Sequence, residues 1–126
     1  MGYPVVHFEV VGKDIKTLQS FYKQAFDWKI EPMAPGAGVP EYAMINPEAE
    51  GSINGGIGAG MEGYDGHVTF YVGVPQLEPV LSKIESLRGR TIMGPDDVPN
   101  GPRIALFSDP EGHVVGLVQI DSSSQS

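Results

Sequence analysis

The amino-acid sequence predicts an α+β fold made of two similar modules, each containing a strand, a helix and three further strands. One observation behind this is that strand-like alternation followed by a helical stripe occurs twice, once in each half of the chain. Another is that 17 glycines and 11 prolines among 126 residues imply many turns between short elements. The length suits a single domain over residues 1–120, with modules at about 3–60 and 64–120 and a disordered polar tail over residues 121–126.

The first module begins with a strand whose two faces differ chemically. Val6, Phe8 and Val10 share one face of this strand. His7 and Glu9 lie on the other face. The apolar face is therefore expected to meet a helix, and the polar face is a candidate site.

The first helix is predicted to follow Asp14, whose side chain can cap it, and to end near Asp27. Its apolar stripe recurs at helical spacing and consists of Ile15, Leu18, Tyr22, Ala25 and Phe26. Short strands are predicted over residues 28–31, 41–46 and 52–58, and a proline-rich loop over residues 32–40 separates the first two.

The second module repeats this order. A strand is predicted over residues 67–74 and a helix over residues 77–87, with Pro79 in the first turn of that helix. Three further strands are predicted over residues 90–93, 103–108 and 113–120. The loop predicted over residues 94–101 matches the earlier proline loop, and its acidic pair Asp96 and Asp97 is interpreted as a solvated turn.

Charge and cysteine content argue against several classes of function. Eight Lys and Arg against sixteen Asp and Glu give a net charge of -8, which argues against nucleic acid or an anionic membrane as a partner. The chain has no cysteine, so disulfides, thiolate metal ligands and cysteine nucleophiles are excluded. No apolar run approaches about 18 residues and no signal-peptide pattern is present, so we expect a cytoplasmic protein.

Several stretches of the chain carry a resemblance to a known family. They are Val6–Val10 with the helix segment Phe21–Trp28, the Asn-Gly-Gly segment Ile53–Ile57, and the turn Ser108–Gly112 before the last strand. On these stretches the chain resembles the vicinal oxygen chelate superfamily, which includes glyoxalase I, bleomycin resistance proteins and extradiol dioxygenases, over roughly Val5–Gln119. The Asn-Gly-Gly form is similar to a glyoxalase-like branch of this group.

This resemblance implies that the two modules form a curved, cup-like mixed sheet with the helices on its convex side and a small-molecule site within the cup. It also implies a homodimer, because related single-domain members pair their half cups. Metal-using members hold a divalent ion with one side chain from the first and one from the last strand of each module, usually His, Glu, His and Glu.

Carried over residue by residue, the four metal positions keep one firm ligand. They are occupied by His7, by Asn54 or Gly56, by Thr69 and by Gly116. His67 lies two residues before the third position, which is about 6–7 Å away along a strand. The usual metal site is therefore expected to be absent, and no cofactor is expected.

The leading hypothesis is a small-molecule-binding protein of the glyoxalase and bleomycin-resistance type that lacks the usual four-ligand metal site. Its ligand contacts are predicted among side chains of the concave face, namely His7, Glu9, Asn54, Thr69, Tyr71 and Phe107. Whether the protein is an enzyme stays open. If it is, Glu9 is the candidate catalytic residue, acting as a general base.

Other interpretations stay open as well. The alternative function is a metal-dependent lyase, isomerase or dioxygenase of the glyoxalase I type, in which His7, Glu9 and His67 form a shifted site for a divalent metal. Simpler interpretations make His7 a hydrogen-bonded pocket residue and place Glu9 at an exposed edge or a dimer seam. A further interpretation is a non-catalytic interaction module whose cup is filled by its own side chains.

Overall fold

A computed structural model describes residues 2–33, 41–60, 62–98 and 101–120 of the chain. Its elements, in chain order, are β1 (Val5–Gly12), α1 (Ile15–Phe26), β2 (Lys29–Pro32), β3 (Tyr42–Asn46), β4 (Gly55–Ala59), β5 (His67–Val74), α2 (Leu77–Ser86), β6 (Arg90–Asp97), β7 (Arg103–Ser108) and β8 (Val114–Gln119). The predicted α+β class is confirmed, and so is the order of strand, helix and three strands in both halves.

Internal contacts divide the chain into two compact units. The first unit is His7–Val68, and the second unit is Met1–Val6 together with Thr69–Ser126. This division places His67 in the same unit as His7 and Glu9.

The first unit contains strands in the order β2, β3, β4, β1. β1 runs parallel to β4, whereas β4 with β3 and β3 with β2 are antiparallel. One face of these strands packs with α1 to form a core of Val10, Ile15, Ile30, Ala43, Ile45 and Ile57. Because side chains alternate along a strand, His7 and Glu9 lie on the opposite face, as predicted.

Helix α1 is capped at its two ends by Asp14 and Asp27. The Asp14 side chain accepts a hydrogen bond from the Thr17 backbone N–H, which satisfies one free donor of the first turn. At the other end Asp27 adopts the left-handed conformation with φ 59°, and its backbone N–H donates to the Lys23 carbonyl. Both predicted limits of this helix are confirmed.

The second unit contains strands in the order β5, β8, β7, β6. β5 and β8 are parallel, and the other two pairings are antiparallel. Helix α2 packs on these strands over a core of Val74, Leu77, Leu81, Ala105 and Leu117. Tyr71 and Thr69 therefore lie on the face of β5 opposite to α2, since Val74 faces the helix.

The sequence prediction was wrong about the segment before β7. Residues 94–97 were expected in a loop, but β6 continues to Asp97. Two register shifts, between Thr91 and Met93 and between Met93 and Asp96, let the strand resume pairing with β7 after the interruption. Asp97 then pairs with Arg103 in the neighbouring strand, at 3.4 Å between Nε and Oδ1. The acidic pair is exposed, as expected, but it lies in a strand and not in a turn.

Some predictions concern parts of the chain that the structure does not describe. Residues 34–40 of the proline-rich loop and the tail over residues 121–126 lie outside the described ranges. Within those ranges, neither helix is long and apolar enough to cross a lipid bilayer.

Candidate functional site

Glu9 is the centre of a hydrogen-bonded cluster in the first unit. Its carboxylate is buried, with only 8% of the residue exposed. Oε2 accepts a hydrogen bond from the Tyr42 hydroxyl at 3.0 Å. Oε1 lies 3.1 Å from Nε2 of His67. A buried carboxylate is costly unless donors compensate for its lost hydration, and here both oxygens face a donor.

Tyr42 connects Glu9 to His7. The Tyr42 hydroxyl proton is directed to Glu9, so its oxygen accepts from Nε2–H of His7, at a distance of 2.9 Å. The two rings are stacked, with centroids 6.5 Å apart and 19° between their planes. Burial lowers the pKa of His7 because it disfavours the charged imidazolium, while the charge of Glu9 partly offsets this shift.

The other branch of the cluster leads from Glu9 to His67 and then to Tyr64. Nδ1 of His67 lies 2.5 Å from the Tyr64 hydroxyl. The two rings meet edge to face, with centroids 5.7 Å apart. This branch connects the buried carboxylate to an exposed tyrosine just before β5.

Two glycines of β4 make room for the Tyr42 ring. Glu9 is the register partner of Gly56, and Tyr42 is the register partner of Gly58. A Cβ atom at position 56 would overlap the hydroxyl end of Tyr42, and one at position 58 would lie 2.9 Å from its Cδ1 atom. The absence of side chains there lets the phenol lie across β4 and reach both Glu9 and His7.

The second unit has a comparable pairing of tyrosine and glycine. Tyr71 in β5 is the register partner of Gly116 in β8, and a Cβ atom at position 116 would overlap the Tyr71 ring. Thr69 is buried, and its hydroxyl donates to the Val114 carbonyl at 2.6 Å. That hydroxyl proton is therefore used within the sheet.

The structure brings together only some of the residues predicted to contact a ligand. One hydrogen-bonded network contains three of them: Tyr42 connects His7 to Glu9, and Glu9 contacts His67. Asn54 is exposed just before β4, and its backbone carbonyl accepts from the Phe8 N–H at 3.3 Å. Phe107 packs against the core beneath α2, on the side of the strands opposite to Tyr71.

The donor groups at the four positions implied by the resemblance do not fit a metal ion. In the first unit these positions hold the His7 imidazole and either exposed Asn54 or Gly56, which has no side chain. In the second unit they hold Gly116 and Thr69, whose proton is donated to Val114. Among the described residues, no three His, Cys, Asp or Glu side chains form a group that could hold a metal ion.

The three side chains of the shifted metal site in the alternative hypothesis are already hydrogen-bonded to protein groups. Tyr42 lies between His7 and Glu9, and His67 contacts Glu9 directly. A cation at this point would have to displace the Tyr42 hydroxyl and compete with Nε2–H of His67.

Alternation with Met44 predicted that Tyr42 lines the cup, but Tyr42 was not among the predicted ligand contacts, and Tyr64 was not assigned to the site. Alternation along β3 places Tyr42 on the face opposite to Ala43 and Ile45, which are core residues. Its contact with residues more than thirty positions away depends on strand order, which the sequence does not show. Tyr64 is three residues before His67, but it lies outside any regular element.

Comparison with known proteins agrees with this fold. Residues 5–117 match the model of the family described as Glyoxalase/Bleomycin resistance protein/Dioxygenase superfamily. Proteins named "Putative glyoxylase CFP32" in Mycobacterium bovis and Mycobacterium tuberculosis are 29% identical over 108 residues, which is 84% of this chain and 41% of the relatives. The chain thus spans less than half the length of the curated relatives it matches.

Solved structures show the same fold at low sequence identity. The hypothetical protein BH1468 from Bacillus halodurans superimposes with a TM-score of 0.72 at 13% identity, covering 97% of both chains. Methylmalonyl-CoA epimerase from Mycobacterium tuberculosis gives a TM-score of 0.68 at 12% identity, covering 96% of this chain and 90% of the epimerase. With the family match over most of its length, the chain belongs to the Glyoxalase/Bleomycin resistance protein/Dioxygenase superfamily.

Proposed function

We propose that this chain binds a small molecule at the face formed by His7, Glu9 and Tyr42, without a metal ion at the usual four positions. The observation that carries this proposal is the buried Glu9 carboxylate, which faces away from the core and meets donors on both oxygens. Polar groups that converge on the non-core face of a sheet are more typical of a binding site than of packing.

The cluster favours an uncharged ligand with a hydroxyl or amide group. Glu9 and His7 suit a group that both donates and accepts a hydrogen bond, because the Tyr42 hydroxyl donates to Glu9 and accepts from His7. A ligand hydroxyl could take over the same two hydrogen bonds if Tyr42 turned away. An anionic ligand would meet the Glu9 carboxylate and a chain with a net charge of -8.

Membership of the family supports a small-molecule role. The family description joins glyoxalases, bleomycin resistance proteins and dioxygenases, and the matched relatives carry a glyoxylase name. A cytoplasmic homodimer is part of the same proposal, and sedimentation of the purified chain tests the assembly.

Metal analysis tests the metal-independent part of the proposal. The purified chain is incubated with Zn²⁺, Ni²⁺ or Mn²⁺, dialysed, and analysed by mass spectrometry for bound metal. We expect substoichiometric metal that is unchanged in His7→Ala. A stoichiometric metal that is lost in His7→Ala would overturn the proposal and support the metal-dependent alternative.

A thermal-shift screen tests the binding site. The probes are uncharged phenols, alcohols and amides, each measured with and without a chelator. We expect some compounds to raise the melting temperature both with and without the chelator. Their effect should be lost in Glu9→Gln and kept in the control Glu50→Gln, which changes an exposed glutamate of the same unit. Equal binding to both variants, or no binding by any probe class, would contradict the proposed site.

A further inference from the structure

Tyr64, His67 and Glu9 form a chain from the protein surface to a buried carboxylate. The Tyr64 hydroxyl lies 2.5 Å from Nδ1 of His67, and Nε2 of the same ring lies 3.1 Å from Oε1 of Glu9. Exposure falls along this chain, from 39% for Tyr64 to 8% for Glu9. Tyr64 is therefore a partly exposed residue, whereas Glu9 is largely shielded from water.

The hydrogen-bond partners assign the proton positions. The Glu9 carboxylate can only accept, so Nε2 of His67 carries a hydrogen. In the neutral imidazole Nδ1 is then the acceptor, and Tyr64 must be the donor in the short contact. Both hydrogen bonds point the same way, from Tyr64 to His67 and from His67 to Glu9.

This arrangement has the three parts that activate a hydroxyl nucleophile. A hydroxyl alone is a poor nucleophile near neutral pH, because it holds its proton. A base within hydrogen-bond distance can take that proton during attack, and a carboxylate behind the base stabilises the imidazolium that forms. Here His67 lies at the position of the base, and Glu9 at that of the orienting carboxylate.

We propose that Tyr64 is a reactive nucleophile toward activated acyl groups, with His67 as its base and Glu9 as the residue that orients His67. In this step the Tyr64 oxygen forms a bond to the acyl carbon while the bond from that carbon to the leaving group breaks. The leaving group departs with the bonding electron pair. The phenolic proton moves to Nδ1 of His67 and is then released to the leaving group or to water, so no further reactant is needed.

This reactivity goes beyond the proposed ligand binding and does not depend on it. It concerns the Oε1 side of Glu9, whereas the proposed ligand replaces the Tyr42 hydroxyl at Oε2. A chain that binds no small molecule at Tyr42 could still acylate Tyr64, and the reverse also holds. The two proposals therefore fail on different measurements.

Tyr3 provides an internal comparison within the same molecule. It is 55% exposed, which is more than Tyr64. Accessibility alone therefore predicts that a tyrosine reagent modifies Tyr3 at least as fast as Tyr64. A faster reaction at Tyr64 requires activation by its neighbours.

The experiment uses N-acetylimidazole, which transfers an acetyl group to phenols, on the full wild-type chain near neutral pH. Samples are quenched at intervals, and acetylation of each tyrosine is followed by peptide mass mapping. We expect Tyr64 to react at least about tenfold faster than Tyr3, a small part of the roughly 10²–10⁴-fold that a positioned base supplies. Equal rates, or faster reaction at Tyr3, would overturn the proposal without any variant.

A matched pair of variants then tests the role of His67. His67→Gln keeps a side chain that can accept from Tyr64 and donate to Glu9, but it removes the base. We expect its Tyr64 rate to fall to that of Tyr3, while Glu50→Gln leaves the ratio as in the wild type. A ratio that stays high in His67→Gln, with circular dichroism showing an intact fold, would refute the assignment of His67 as base.

Discussion

The Tyr42 hydroxyl fills the space beside Gly56 that a side chain at position 56 would need. The Tyr42 hydroxyl lies where the Cβ atom of any other residue at position 56 would stand. This contact places the phenol between His7 and Glu9. The glycine at position 56 of β4 therefore allows Tyr42 to form hydrogen bonds with His7 and Glu9 of β1.

Gly56→Ala should force the Tyr42 ring away from the cluster. The new methyl group meets the far end of the tyrosine, which can rotate, so the expected cost is the loss of its hydrogen bonds to His7 and Glu9. We expect the free energy of unfolding to fall by about 1–3 kcal/mol, because Glu9 loses a donor while it is buried. Urea denaturation measures this change.

A double-mutant cycle provides the control for that prediction. In a Tyr42→Ala background the methyl group at position 56 has no ring to displace, so Gly56→Ala should cost less by about 1 kcal/mol or more. An equal cost in both backgrounds would show that the glycine is required for another reason.

Glu9→Gln should destabilise the first unit although the side chain keeps its shape. One carboxylate oxygen becomes an NH₂ group, which cannot accept a hydrogen bond from Tyr42 or His67. We expect a loss of about 1.5–3 kcal/mol, as for a hydrogen bond to a buried charged group. Chemical denaturation beside the exposed control Glu50→Gln measures it, and equal stabilities of the two variants would contradict the predicted role of Glu9.

His7 and His113 should titrate on opposite sides of the ordinary histidine value. Burial lowers the pKa of His7 below 6.5, whereas the hydrogen bond from His113 to Asp109 raises the pKa of His113 above 6.5. Two-dimensional NMR of the imidazole nitrogens against pH measures both. Finding His7 protonated at a higher pH than His113 would contradict the described environments.

The lowered pKa of His7 predicts the sign of its effect on stability. Below about pH 6.5 the unfolded chain binds a proton that folded His7 does not, so this residue destabilises the fold as the pH falls through that range. His7→Gln should remove that part of the acid sensitivity. Melting temperatures of both proteins between neutral and mildly acidic pH test it, and parallel curves would count against it.

The turn before β8 should depend on pH in the opposite sense. Asp109 accepts hydrogen bonds from the backbone N–H groups of Glu111 and His113, and the His113 ring lies 2.9 Å from its Oδ2 atom. The raised pKa of His113 means that its stabilisation is complete below pH 6.5 and is lost as the pH rises through the folded-state value. The stability difference between wild type and His113→Gln should therefore shrink as the pH rises above 6.5.

Asp109 sets the acid limit of the same interaction. Hydrogen bonds from the His113 backbone, and then from its side chain, lower the pKa of Asp109 below its usual 3.8. Its stabilisation is thus present above pH 3.8 and is lost as the pH falls through the lower folded-state value. A difference between wild type and His113→Gln that grows as the pH rises above 6.5 would contradict this account.

The sequence alone was sufficient for most of the fold, because its signals are local. The caps at Asp14 and Asp27 and the alternation along β1 depend on residues within one or two turns of each other. β6 was the exception. Its strand resumes beyond an irregularity through pairing with β7, and a local pattern of glycine, proline and two aspartates resembles a turn.

The sequence also identified half of the candidate site. Alternation was enough to place His7 and Glu9 on the face away from the core. Counting along the strands was enough to find Gly116 at one expected metal position and Asn54 or Gly56 at another. What it could not provide was the partner of each group. Tyr42 reaches them from 33 and 35 residues away, and His67 reaches Glu9 from 58 residues away.

Only the tertiary structure shows why glycine occurs at positions 56 and 116. In the sequence, Gly116 and either Asn54 or Gly56 stand at positions where a metal ligand was expected. In the folded chain, the missing side chains of Gly56 and Gly116 leave space that a tyrosine ring fills. The residue types and their faces follow from chain chemistry and strand periodicity. The hydrogen bonds of Glu9 follow from which strands become neighbours, and that is settled by packing between residues far apart in the chain.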